Sequence, residues 1–146
     1  SRETMATLAC AHDRRFQPSP LDAPNPDGRP NYTVDTLTTL RALYPEAALF
    51  NLVGADSFLA LPHWREPERL LELAEWIVVS RPGFSLDGLE SLGLTPQQRS
   101  RIHLLETVHE DVSATELRQR LRDGDPCNGL ILPDVLAYIR AHSLYT

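Results

Sequence analysis

Three short apolar runs constrain this chain more than any other feature. They are Ala47–Val53, Trp76–Val79 and Ile102–Leu105. Runs that are apolar nearly throughout, without polar alternation, suit strands covered on both faces. The segments between and around them carry apolar residues at helical spacing. Strands alternating with helices imply parallel pairing and right-handed crossovers. The expected class is therefore α/β, a doubly wound parallel sheet with flanking helices.

Helical segments are expected at residues 2–12, through Met5, Leu8 and Ala9, and at 33–44. In the latter, Thr33 can serve as N-cap, Val34, Leu37, Leu40, Leu43 and Tyr44 form the apolar stripe, and Pro45 ends it. Short helical pieces should flank Pro62-His63-Trp64. Helices at 113–122 and 133–142 close the chain, the first stopped by Gly124 and Pro126, the second opened by Pro133. Phe16–Leu21 reads as a short strand or an extended segment, and Ala23–Pro30, with three prolines and a glycine, reads as a surface loop.

A length of 146 residues fits a single domain. The net charge of −6 disfavours nucleic acid as a partner. No apolar run approaches a membrane span, and nothing resembles a secretory leader. Cys10 and Cys127 then read as reduced thiols of a cytoplasmic protein. All 14 basic residues are arginine, which excludes lysine nucleophiles and the P-loop lysine. His12, His63, His103, His109 and His142 show no metal-ligand spacing, so no protein-built metal site is expected.

In open α/β sheets ligands bind beyond the carboxyl ends of the strands. After Val53 comes Gly54-Ala55-Asp56-Ser57. Glycine admits close approach of a ligand, and Asp56 can accept from a ribose or simply cap the next helix. Trp64, in a polar, proline-bounded stretch, can stack on a flat heteroaromatic ring or cover an edge of the core. Arg81 follows the second strand and can face phosphate, or solvent from a turn. Beyond the third strand, Ser113 and Glu116 have capping-box spacing, with Thr115 and Arg118 on the same turns. Such a helix start suits phosphate oxygens; otherwise it is a capped helix with Arg118, Arg120 and Arg122 exposed.

Taken in order, these segments resemble bacterial nicotinate-nucleotide adenylyltransferase. The residues concerned are Pro30-Asn31-Tyr32-Thr33-Val34-Asp35-Thr36-Leu37, Asn51-Leu52-Val53-Gly54-Ala55-Asp56-Ser57, Trp64, Val78-Val79-Ser80-Arg81-Pro82-Gly83, Val112-Ser113-Ala114-Thr115-Glu116-Leu117-Arg118, and the tail from Leu132 to Tyr145. The resemblance implies a Rossmann-like fold and transfer of AMP from ATP to nicotinate mononucleotide, with magnesium carried by ATP. It implies that Ser113, Thr115 and Arg118 hold the ATP phosphates, and that Gly54, Asp56 and Arg81 line the nucleotide site. Thr33 and Trp64 would bind the nicotinate end, Trp64 by stacking on the pyridine ring.

The family also carries a strand, a glycine-rich turn and a His-x-Gly-His motif ahead of these segments. None of the five histidines here stands in that pattern. The expectation is that the family's first strand, phosphate loop and first helix are missing, and that these 146 residues alone do not turn over. Two alternatives stand beside this reading: a non-catalytic nucleotide-binding relative, and a transferase for nicotinamide mononucleotide. Trp64 and Thr33 argue against a pantetheine-phosphate transferase.

Overall fold

The computed structural model describes residues 2–80, 86–106 and 112–146, with the backbone alone at 86 and 87. In chain order the helices are Arg2–Cys10 (α1), Thr33–Leu43 (α2), Ala55–Leu59 (α3), Pro67–Leu73 (α4), Leu86–Glu90 (α5), Pro96–Ser100 (α6), Ala114–Arg122 (α7) and Pro133–Ala141 (α8). The strands are Phe50–Gly54 (β1), Glu75–Val79 (β2) and Ile102–Leu105 (β3). Single turns of tighter 3-10 helix lie at Pro20–Asp22 and Leu61–His63. The chain divides into two compact units, residues 22–111 and residues 1–21 with 112–146.

The first unit holds the sheet. Its strands are parallel in the order β1-β2-β3, with Asn51 opposite Trp76 and Trp76 opposite Ile102. Side chains alternate across the pleat, so Val53, Trp76, Val78, Ile102 and Leu104 share one face. Against that face pack Val34 and Leu37 of α2, Phe58 of α3, and Leu70 and Leu71 of α4. Trp76 and Phe58 are fully buried and contact each other at 5.6 Å between ring centroids. Burial of a side chain of that size contributes about 1.5–3 kcal/mol. The Trp76 indole N–H donates to Leu70 O at 3.2 Å, so its one polar atom is satisfied inside the core.

The fold class is as expected, but β1 is not covered on both faces. Phe50 and Leu52 are 51% and 66% exposed. β1 lies at the edge of the sheet, and this unit's packed core lies on the Trp76 face. The run Ala47–Val53 is also shorter as a strand than as an apolar stretch, since pairing starts only at Phe50. Arg41 of α2 fixes this entry by donating to Ala47 O at 2.6 Å and to Leu73 O at 2.9 Å. It thereby ties the approach to β1 to the end of α4.

α5 and α6 have no counterpart in the sequence reading. α6 has a complete reciprocal capping box: Thr95 Oγ1 accepts from Gln98 N at 3.1 Å, and Gln98 Oε1 accepts from Thr95 N at 2.9 Å. Phe16–Pro18 and Ser19 run without strand pairing into the 3-10 turn at Pro20.

In the second unit α1 packs on α8, and His12 Nε2 lies 2.8 Å from Asp134 Oδ2. Leu136 and Ile139 of α8 are buried, as is Cys127. α7 ends where Gly124, at φ +80°, donates to Leu121 O; that left-handed conformation favours glycine. Both cysteines are free. Among the described residues no helix is long and apolar enough to cross a membrane.

Candidate functional site

Thr33 and Trp64 stand 31 positions apart in sequence yet line one cleft of about 210 Å³, together with Asn31, Tyr32, His63, Arg65 and Leu70. One wall is the start of α2. Thr33 is not its cap; it is the first helical residue, and the capping position falls to Tyr32, which has no capping side chain. The reason is local: Tyr32 keeps an extended backbone, at φ −110° and ψ 135°, and its carbonyl accepts the first helical N–H, from Thr36. Among the described residues no side-chain oxygen covers the first N–H groups of α2, which carry the positive end of the helix dipole.

The loop ahead of α2 is held by amides. Asn31 Nδ2 donates to Asp22 O at 3.1 Å and to Ala23 O at 2.7 Å, and Asn25 Nδ2 donates to Asn31 Oδ1 at 2.7 Å. This network anchors Asn31 where Tyr32 and Thr33 enter the cleft.

The opposite wall is the 3-10 turn at Leu61–His63 and the two residues after it, Trp64 and Arg65. Trp64 N donates to Leu61 O at 3.0 Å, closing the turn, and Pro67 then opens α4. The Trp64 ring meets Trp76 edge-on, with centroids 5.8 Å apart and planes at 64°. The two uses open to Trp64 are thus compatible: one edge of the ring rests on the core, and the residue lines the cleft. Arg65 is a cleft residue that the sequence does not mark. Its Cζ lies 4.7 Å from the centroid of the Tyr32 ring, a cation–π contact that no sequence spacing reveals.

Gly54 ends β1 and occupies the cap position of α3, with φ −70° and ψ 151°. That conformation does not require glycine, and a Cβ built there would meet no protein atom within 4 Å. Asp56 is exposed in the first turn of α3, and no side chain caps that helix. Its reading as a plain cap is therefore set aside. Arg81 lies outside the described residues.

Ser113, Thr115 and Arg118 belong to the other unit and come together at the start of α7. Ser113 Oγ accepts from Glu116 N at 3.1 Å, so Ser113 is a true N-cap. The expected capping box is only half formed. The Glu116 carboxylate turns to Arg120 at 2.8 Å instead of back to the cap. Thr115 and Arg118 are exposed. The three arginines of α7 are not equivalent. Arg120 is paired with Glu116, and Arg122 donates to Gln119 Oε1 at 3.3 Å. Arg118 pairs with no carboxylate among the described residues and lies 5.9 Å from the Tyr145 ring. A cap, a hydroxyl and an uncommitted guanidinium on one helix start can receive an anion. Among the described residues no three His, Cys, Asp or Glu side chains gather in a way that could hold a metal ion.

No family model matches the chain. Individual relatives do. A protein of Roseiflexus sp. (strain RS-1), named "Probable nicotinate-nucleotide adenylyltransferase", is 40% identical over 144 residues. That match covers 99% of this chain and 71% of the relative. A Thermus thermophilus protein of the same name is 37% identical over 145 residues, covering 99% of this chain and 72% of its own length. Among solved structures, Plasmodium falciparum nicotinic acid mononucleotide adenylyltransferase complexed with APC superimposes with a TM-score of 0.60 at 20% identity. That superposition covers 84% of this chain and 62% of the other. It shows a shared fold.

Proposed function

The chain belongs to the nicotinate-nucleotide adenylyltransferase family, and from that membership we propose that the full-length protein transfers AMP from ATP to nicotinate mononucleotide. The products are deamido-NAD and pyrophosphate. The observation that carries the reading is the cleft shared by Thr33 and Trp64, which joins an uncapped helix start to an aromatic wall.

In this reading the pyridine ring stacks on Trp64, and its carboxylate accepts from the open N–H groups at the start of α2. The phosphate of the mononucleotide attacks the α-phosphorus of ATP in line. The new bond joins that phosphate oxygen to the α-phosphorus, the bond from the α-phosphorus to the bridging oxygen breaks, and pyrophosphate leaves. No covalent enzyme intermediate is needed, so catalysis rests on positioning and charge stabilisation. Ser113, Thr115 and Arg118 would hold the triphosphate. Gly54 and Asp56 would line the nucleotide, with Arg81 close by. Ser113, Thr115 and Arg118 offer no carboxylate to a cation, so magnesium would enter on ATP, held by the phosphates, whose charge it offsets.

Replacing Trp64 tests the reading. A stacked ring on tryptophan contributes about 0.5–1.5 kcal/mol beyond its buried area. W64A in the full-length protein should weaken nicotinate mononucleotide binding roughly tenfold, measured by calorimetry. Unchanged affinity would remove Trp64 from the site.

A further inference from the structure

We propose that Arg65 is a specificity-determining residue of this cleft, selecting a ring-borne carboxylate over the neutral carboxamide of the otherwise identical mononucleotide. The proposal rests on the cleft being the pyridine site.

Among the described residues the lining contains no aspartate or glutamate, and Arg65 is its one permanently charged side chain. Its guanidinium lies over the Tyr32 ring, 4.7 Å from the centroid, at the capping position just before α2. A cation stacked on an aromatic face keeps its in-plane N–H donors available for a carboxylate. Among the described residues no acidic side chain pairs with it. Glu66, next in sequence, takes a left-handed backbone at φ 51°, and its carboxylate does not line the cleft. The chain as a whole carries −6, so its average field opposes an anionic ligand. A local cation with no carboxylate partner among the described residues, beside a helix start, opposes that field where the ring would bind. A neutral carboxamide has no net charge to pair with it and gains less.

The test compares the affinities of nicotinate mononucleotide and nicotinamide mononucleotide for the full-length protein by calorimetry. R65Q should lower the ratio of the two affinities about three- to tenfold. R65K, which keeps the charge but loses the planar fork over Tyr32, should fall between R65Q and the parent. R69Q removes the same charge outside the cleft and should leave the ratio unchanged. Raising the salt concentration should compress the ratio in the parent more than in R65Q. A ratio unmoved by R65Q, or moved equally by R69Q, overturns the proposal. W64A separates the two levels of inference. If W64A weakens both ligands while R65Q leaves the ratio alone, the pyridine site stands and Arg65 is not its selector. If W64A weakens neither, the site reading falls and the proposal falls with it.

Discussion

Gly54→Ala separates what the fold asks of this position from what a ligand asks of it. At φ −70° and ψ 151° an alanine fits without strain. No protein atom lies within 4 Å of the added Cβ. Two folding terms then oppose each other. Restricting the unfolded chain stabilises by about 0.4–1 kcal/mol. Alanine is a poorer helix cap than glycine, which costs about 0.5–1 kcal/mol at the start of α3. The net should lie within about 0.5 kcal/mol of zero by urea denaturation. The space the methyl enters is where the nucleotide is proposed to approach β1. Overfilling a fitted contact costs about 1–3 kcal/mol, or roughly five- to a hundredfold in ATP affinity. A variant that folds like the parent and binds ATP equally well would refute the assignment of Gly54. A stability loss above about 2 kcal/mol would show that the protein itself, and not a ligand, requires the glycine.

At the start of α7, Arg118→Ala should lower ATP affinity or turnover roughly ten- to a hundredfold, since a charge-assisted contact contributes about 1.5–3 kcal/mol. Arg122→Ala, whose side chain is already engaged with Gln119, should change either by less than about threefold; equal small effects would leave α7 a capped helix and nothing more. Ser113→Ala should cost about 1 kcal/mol of stability through loss of the Glu116 N–H contact, read by thermal denaturation, and a silent result would discount that cap. Arg41→Ala frees two backbone carbonyls, Ala47 O and Leu73 O, and should destabilise by about 1–2 kcal/mol in urea; a loss below about 0.5 kcal/mol would mean that water replaces the guanidinium at no cost.

The strands were legible because apolar runs declare themselves: β3 falls at Ile102–Leu105 as read, and β2 begins one residue early, at Glu75. What the runs could not declare is position within the sheet. Leu52 reads as core by its neighbours in sequence, yet it lies on the face turned away from the Trp76 core, in an edge strand, and is exposed. Ser113 caps α7 as read, but the reciprocal half of its box does not form, for a local reason. Ser113 and Glu116 have the spacing of a reciprocal box, but Glu116 has an arginine four residues on that competes for its carboxylate. At Thr95 and Gln98 no such competitor exists, and the box closes. Thr33 and Trp64 stand out by type and context, whereas their shared cleft is a long-range fact. Arg65 carries no such signal, because its meaning depends on the ring of Tyr32, 33 positions earlier.

The contact between the two indoles also has an optical consequence. The chain has only two tryptophans, and they lie 5.8 Å apart, one in the core and one on the wall of the cleft. At that separation excitation passes readily between them. Emission from this chain is therefore dominated by a coupled pair with one member on the wall of the cleft. A ring that stacks on Trp64 dims the buried partner as well as the one it touches, and occupancy of the cleft can be followed without any label.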